Sequence, residues 1–318
     1  MTERCDNRCF YCRPGGEACR ALRKKEMSLR QIYQIVKILA KHGITNITIT
    51  GGEPLKRDDI PKMVQLIKSI EEIDYIRLIT RSPRVGEISN QLKEAGLSCL
   101  NFSLDSLDPY IFFKITRHGE LNLLLQSIER CFQSDLDLKF NMVVLRGINS
   151  KEIPAMIDFV GKYKSTLKLL DLMNMPNEPE FLINYYFPFE KTISYLKYKA
   201  SKCSIDKQPG GLGTPMPKFE MPNGATVLVK DARVGTWYGD TCDKCDNFPC
   251  QDAIMALRLT NDGCLQRCLL REDNLVNILE MVENIEPKKL IDENINLVLS
   301  TFREAVYYEK AWDPFKKK

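Results

Sequence analysis
The chain has 318 residues, of which 44% are apolar and 28% charged, and its formal net charge is +4. This is an ordinary globular balance, long enough for one large α/β domain or a large domain with a small companion. The charge is too mild to argue for nucleic acid but leaves room for a basic pocket that takes an anionic small molecule; with no apolar run of membrane-spanning length and no cleavable signal pattern, the expectation is a soluble, cytoplasmic protein.

The chain opens on "CDNRCFYC", which sets Cys5, Cys9 and Cys12 on one short segment. Of the twelve cysteines, four lie in the first nineteen residues and five between Cys242 and Cys268. Cys99, Cys131 and Cys203 read as small apolar side chains. In a cytosolic protein such clumping points to metal ligation or catalysis before disulfides. Thiolates spaced C-x-x-x-C-x-x-C can hold three irons of a 4Fe–4S cube from one loop and leave the fourth iron open. They also suit zinc, for which Cys19 could supply a further ligand.

From residue 28 the chain alternates. "SLRQIYQIVKILAKHG" predicts a helix with Ser28 as N-cap and Gly43 as its stop. "ITNITIT" predicts a strand, "DDIPKMVQLIKSI" a helix opened by Asp58 or Asp59, and "YIRLIT" a strand. A helix at "GEISNQLKEAG", a strand at "LSCLNFS", a helix over 121–131 and the strand "LKFNMVVL" follow. Helix "SKEIPAMIDFVGKY" and strand "LKLLDL" close the series, giving five strands. Such alternation means parallel βαβ units with ligands at the carboxyl ends of the strands, in a partial barrel or an open sheet. Beyond Asp171 the rhythm fails. "NMPNEPEF" and the Pro/Gly-rich stretch over 207–240 read as loops and short hairpins, so a smaller, irregular domain is expected from about residue 195. In it, "CDKCDNFPC" sets Cys242, Cys245 and Cys250, and "LRLTNDGCLQRCLLREDN" adds Cys264 and Cys268. This is the pattern of a metal knuckle, zinc or a second iron–sulfur cluster.

The cysteine loop together with "TGGEPL" at 50–55 resembles the signature of the radical S-adenosylmethionine (radical SAM) superfamily. The resemblance implies that the open iron of a 4Fe–4S cluster chelates S-adenosylmethionine, whose reductive cleavage yields a 5′-deoxyadenosyl radical that abstracts hydrogen from substrate. It assigns Cys5, Cys9 and Cys12 to the cluster and names no catalytic side chain. Gly51 and Gly52 would let backbone approach the cofactor, and Glu53 would face the methionine ammonium. Tyr11 would pack on the cluster or adenine, and Ser103 and Asn141 would contact the methionine carboxylate or ribose. Thr80 closes the preceding strand, where "TRSP" departs from the "TTNG" of many relatives.

"SLDSLDPYIFFKITRHGELN", "NMVVLRGINSKEI" and "LRLTNDGCLQRCLLRED" are similar to the MoaA family, the GTP 3′,8-cyclases of molybdenum-cofactor biosynthesis. This resemblance implies a partial (β/α)6 TIM-type barrel over 1–195 and an auxiliary iron–sulfur domain over 196–318. It implies a second 4Fe–4S cluster on Cys242, Cys245 and Cys268 whose open iron binds the purine. Cys250, in a longer spacer than the family has, would close that cluster if it ligates. Lys139, Arg146 and Lys168 would meet phosphate, and Arg258 the nucleotide, although Ala256 stands where the family has a partner arginine. The two terminal glycines of the family are replaced by "WDPFKKK", and the family's first strand and its arginine have no counterpart before Cys5. A purine nucleotide is the leading substrate and flavodoxin or ferredoxin the implied electron donor, with no membrane or nucleic-acid partner. A relative diverted to a ribosomal peptide or to a nucleoside or sugar precursor is the alternative, and a non-catalytic iron–sulfur or zinc protein a third reading.

Overall fold
The structure is a computed structural model that describes residues 2–12, 26–173, 179–206, 215–246, 248–250, 254, 256–271, 273 and 275–309. Cys19, the loop residues 174–178 and 207–214, and the terminal "WDPFKKK" lie outside the described residues.

The alternation read from the sequence folds as expected and then continues further than expected. Strands β1 (Asn46–Ile49), β2 (Tyr75–Thr80), β3 (Cys99–Ser103), β4 (Leu138–Val143) and β5 (Thr166–Leu170) pair in sequence order, all parallel. A hairpin follows, β6 (Lys202–Asp206) and β7 (Met216–Glu220), and leads to β8 (Thr226–Lys230), which pairs parallel to β5. The sheet order is β1-β2-β3-β4-β5-β8-β7-β6. Six parallel strands make the partial TIM-type barrel. The sheet therefore runs past residue 195: β6 lies just before the Pro/Gly-rich stretch, and β7 and β8 lie within it.

Alternating burial shows which face does what. In β2, β4, β5 and β8 every second residue is buried. Ile76, Leu78, Phe140, Met142, Leu167, Leu169, Val227 and Val229 belong to one core with the apolar stripes of the helices, as the two-residue period of a strand requires. Phe140 stacks on Phe102 at 5.8 Å and meets Phe159 edge-on at 5.7 Å. The opposite face carries Arg77, Lys139, Asn141, Lys168 and Lys230 and lines the lumen.

Helix α1 (Leu29–Lys41) opens on a full capping box, Ser28 with Gln31, and ends before Gly43 at φ +91°. Asp59 precedes α2 (Ile60–Lys68) without a side-chain cap. The helix read at "GEISNQLKEAG" is only α3 (Ser89–Glu94), because a 3-10 turn over Pro83–Glu87 takes up the chain before it. Helix α4 (Pro109–Thr116) was not anticipated; Asp108 caps it through the Ile111 N–H at 2.9 Å. Helices α5 (Leu121–Gln133) and α6 (Ile153–Gly161) complete the barrel's cover. Helices α7 (Pro179–Tyr185) and α8 (Glu190–Lys199) follow β5.

After the sheet, β9 (Gly235–Tyr238) pairs with β13 (Val306–Glu309), and β10 (Arg258–Leu259), β11 (Cys264–Gln266) and β12 (Leu275–Asn277) form a small antiparallel sheet. Helices α9 (Ile278–Glu283) and α10 (Lys288–Arg303) dock this part against α1. His42 Nε2 lies 3.0 Å from Asp292, and the Met27 N–H donates to the Asn261 carbonyl at 3.0 Å. Among the described residues no helix is long and apolar enough to cross a membrane.

Candidate active site
The loop after β1 clamps the segment that leads into the first cysteines. The Gly52 N–H donates to the Thr2 carbonyl and the Glu53 N–H to the Arg4 carbonyl, each at 2.8 Å. A Cβ on Gly52 would lie 2.4 Å from the Arg4 oxygen and 2.8 Å from that of Glu3, so only glycine allows this approach. Gly51 has φ +148°, a conformation side chains disfavour. On the other side, the Arg8 and Phe10 N–H groups donate to the Thr116 and Ile115 carbonyls at 2.9 and 3.2 Å, tying the loop to the end of α4. Phe10 also packs edge-on against Phe181 and Tyr185 of α7 at 5.9 and 5.3 Å.

Glu53 is only 4% exposed. Its Oε1 accepts from the Leu55 N–H at 3.1 Å and the Thr80 hydroxyl at 2.6 Å, and its Oε2 from the Arg81 N–H at 2.9 Å. A carboxylate offers about four acceptor positions, so capacity for one more donor, such as an ammonium, remains. Burial raises its pKa, and the three hydrogen bonds oppose the rise.

Cys9 is buried and Cys5 and Cys12 half-buried; the Cys12 N–H donates to the Cys9 carbonyl at 3.0 Å. Burial pushes the Cys5 thiol up to about 11, against the Asn7 N–H, and raises that of Cys9 against the charge of Arg81. Thiolates in this loop therefore call for a cationic centre. Beyond Cys9 lies a buried network built around Arg81, the arginine of "TRSP". Arg81 donates from Nη1 to Cys9 Sγ at 3.0 Å and from Nη2 to Asp105 Oδ2 at 2.5 Å and the Tyr11 hydroxyl at 3.0 Å. Tyr11 donates to the same Asp105 oxygen at 2.8 Å, and Asp105 Oδ1 accepts from the Val143 N–H at 2.9 Å. Ser103 and Asn141 face each other across β3 and β4. Asn101 donates to Asn141 at 3.3 Å while its own Oδ1 is buried with no hydrogen-bond partner among the described residues.

Lower in the lumen, Lys139 donates to the Tyr75 hydroxyl at 3.2 Å and lies 3.5 Å from Asp137. Lys168, half-buried on β5, is brought down to about 8, by burial first and then by Arg77, with Lys230 and Lys139 adding and Asp206 opposing. Lys230 is paired with Asp171 at 3.2 Å, whereas Arg77 keeps a buried Nε with no hydrogen-bond partner among the described residues. The lumen thus concentrates positive charge that its own acids do not match. Arg77 was not anticipated; its signal is a cation at a lumen position of an otherwise apolar strand. Arg146 lies elsewhere, donating to the Ile183 and Asn184 carbonyls at the end of α7. An open cleft of about 820 Å³ between the loops after β1 and β2 and α5 holds Arg4, Lys56 and Arg84, but these are paired with Glu26, Asp6 and Asp58.

In the C-terminal part, Cys242 ends a 3-10 turn (Asp240–Cys242), its carbonyl accepting from the Cys245 N–H at 3.1 Å. The Tyr238 hydroxyl donates to the Cys250 carbonyl at 2.6 Å. Burial, followed by the charge of Cys245, raises the Cys242 thiol, and Arg271 opposes this. Cys268 is buried just past β11, and Cys264 lies on β11 itself. Arg258 on β10 donates to the Ala256 carbonyl at 3.5 Å.

Among the described residues no three His, Cys, Asp or Glu side chains converge on one point as a single ion requires. A cube instead spreads its thiolates over separate irons. The three-thiol loop with an N–H donor on Cys9 and the Glu53 carboxylate nearby fits an iron–sulfur cluster that binds an amino-acid ligand.

Residues 1–160 match the family model described as the radical SAM superfamily. The chain is 31% identical over 290 residues to a probable GTP 3′,8-cyclase of Thermococcus kodakarensis, covering 89% of this chain and 87% of that protein. It is 30% identical to the GTP 3′,8-cyclase of Syntrophomonas wolfei, covering 88% and 82%. In fold it resembles Streptococcus suis SuiB bound to S-adenosylmethionine, with TM-score 0.60 and 13% identity over 92% of this chain and 66% of that one.

Proposed function
Because the chain belongs to the radical SAM superfamily and, within it, to the GTP 3′,8-cyclase (MoaA) family, we propose that it cyclises GTP between ribose C3′ and purine C8, with the nucleotide lying across the lumen. A 4Fe–4S cluster and S-adenosylmethionine, when bound, supply the radical that abstracts hydrogen from the substrate. The chain's own residues position and neutralise. Cys5, Cys9 and Cys12 hold the cluster, and Glu53 accepts from the methionine ammonium. Gly51 and Gly52 admit the cofactor against backbone, and Tyr11, Thr80, Ser103 and Asn141 line its place. Cys242, Cys245 and Cys268 hold the second cluster. Lys139 and Lys168 take the phosphates, and Arg77 joins them. Arg258 lies with the second cluster on the nucleotide's other side. Reducing equivalents come from a low-potential carrier such as flavodoxin or ferredoxin, and the cytoplasm keeps the thiols reduced.

The observation that carries the substrate assignment is Lys168: a half-buried ammonium with cations around it and no hydrogen bond or ion pair among the described residues is suited to a polyanion. Its pKa of about 8 lies below the ordinary lysine value near 10.4, so its charge costs stability in full below pH ~8 and the cost is relieved as pH rises from there toward ~10.4. Lys168→Met is therefore expected to stabilise the protein at pH 7 by ~1 kcal/mol or more, while weakening GTP at least ~10-fold. In the unsubstituted enzyme, affinity for GTP falls as pH rises through ~8. The decisive experiment incubates anaerobically reconstituted protein with GTP, S-adenosylmethionine and reductant. Matched yields of 5′-deoxyadenosine and cyclised nucleotide are expected; 5′-deoxyadenosine without consumption of GTP sinks the reading.

A further inference from the structure
We infer that Arg81 is a positioning residue that sets the reduction potential of the N-terminal cluster, through an N–H···S hydrogen bond to Cys9 whose positive charge Asp105 holds in check. The inference rests on the iron–sulfur loop and not on the choice of GTP as substrate.

Arg81 and Asp105 are 8% and 1% exposed. A guanidinium is costly to bury unless its charge is paired and its donors are used. The ion pair with Asp105 at 2.5 Å satisfies the first need, and Nη2 also reaches the Tyr11 hydroxyl. Neither contact requires the remaining arm, Nη1, to point at a sulfur, yet it lies 3.0 Å from Cys9 Sγ. Phe112 lies 5.8 Å from the guanidinium carbon, which limits water on that side. With little water to screen it, what Asp105 leaves of the charge acts more strongly on its neighbours than it would at the surface.

The direction of the effect follows from charge. One-electron reduction adds a negative charge to the cluster, and hydrogen bonds to ligating sulfur and local charge are the protein's means of setting the potential. Arg81 touches the ligating sulfur, whereas Asp105 reaches it through Arg81. The arginine therefore favours the reduced state, and the carboxylate subtracts from that gain. Removing either member moves the potential in opposite directions. Lost packing would not reverse sign in this way. The backbone N–H of Arg81, which serves Glu53, survives any side-chain exchange at this position.

The test is a redox titration followed by electron paramagnetic resonance on the reconstituted full-length protein without substrate. The N-terminal cluster is identified as the component whose signal changes on adding S-adenosylmethionine. Arg81→Gln is expected to lower its reduced-to-oxidised ratio at a fixed donor potential at least ~10-fold, which for a one-electron couple is a shift of about 59 mV. Asp105→Asn is expected to raise the ratio, and Arg81→Lys, which keeps the charge but loses the fork, to fall between Arg81→Gln and the unsubstituted protein. Ratios within about twofold of the unsubstituted protein for both Arg81→Gln and Asp105→Asn, or shifts of the same sign, overturn the inference. If Arg81→Gln takes up no iron at this loop, Asp105→Asn decides alone: a rise supports the assignment, and no change or a fall overturns it.

Discussion

The two cysteine groups are held in different ways. The first is fixed from outside its own loop. Backbone of the loop after β1 clamps Thr2 and Arg4, the end of α4 takes Arg8 and Phe10, and Arg81 from the end of β2 reaches Cys9. Among the described contacts, the second is held by short turns and two side chains: the Cys242–Cys245 hydrogen bond, the 3-10 turn before it, Tyr238 on the Cys250 carbonyl, and Arg271, just past β11, on the Thr241 carbonyl at 2.5 Å. In burial the two groups are alike: Cys242, Cys245 and Cys250 are half-buried, as are Cys5 and Cys12, and Cys268 is buried, as is Cys9. The strand ends of the main sheet thus arrange the first group, whereas short turns and side chains of the smaller C-terminal part arrange the second.

The strongest way to break this contrast is Glu53→Gln. It keeps the shape and most of the hydrogen bonding but removes the charge proposed to face the cofactor's ammonium. A charge-assisted hydrogen bond is worth ~2–3 kcal/mol, so 5′-deoxyadenosine formation is expected to fall ~30–160-fold. Iron content should stay near eight per chain, four for each cube. Loss of half of it would mean that the carboxylate organises the cysteine loop as well as the cofactor. Gly52→Ala tests the clamp itself. A methyl 2.4 Å from the Arg4 carbonyl oxygen must displace the segment leading into Cys5. A destabilisation of ~1–3 kcal/mol in denaturant unfolding is expected, with iron lost from the first site and kept at the second. Equal loss from both sites would show the two groups to be one cooperative unit.

How far the sequence could be read follows the same divide between local and distant contacts. Ser28 and Gly43 act within a few residues, and each lies where its pattern indicated. The Tyr11–Arg81–Asp105 network joins residues up to 94 apart in the chain, and no local pattern announces it. "TRSP" was visible as a departure, but its meaning depends on Cys9 and Asp105 lying beside it in the folded sheet. Short hairpins are expected in the Pro/Gly-rich stretch, but not that one of them, Lys202–Glu220, joins the main sheet: the alternation of Cys203 and Ile205 in β6 is only five residues long, and at the edge of the sheet Lys202 to Ile205 stay exposed. Arg146 illustrates the reverse error of reading too much. A cation after a strand suggests phosphate, but its guanidinium is occupied by the carbonyls at the end of α7.

The smallest expected effect comes from Cys250→Ala, and it sharpens the contrast most. At this position the Tyr238 hydroxyl donates to the carbonyl of Cys250, and alanine keeps that bond. The reading as a GTP cyclase needs the second cluster to keep an iron open for the purine, with Cys242, Cys245 and Cys268 as its ligands. The thiol of Cys250 is then dispensable, and the variant should retain about eight irons per chain and lose well under ~1 kcal/mol of stability. GTP should still perturb the spectrum of the second cluster. A drop to about four irons would instead make Cys250 a fourth ligand and close the cluster to substrate. The nucleotide would then have to be held by the lumen cations alone, and the second group's role would shift to structure or electron transfer.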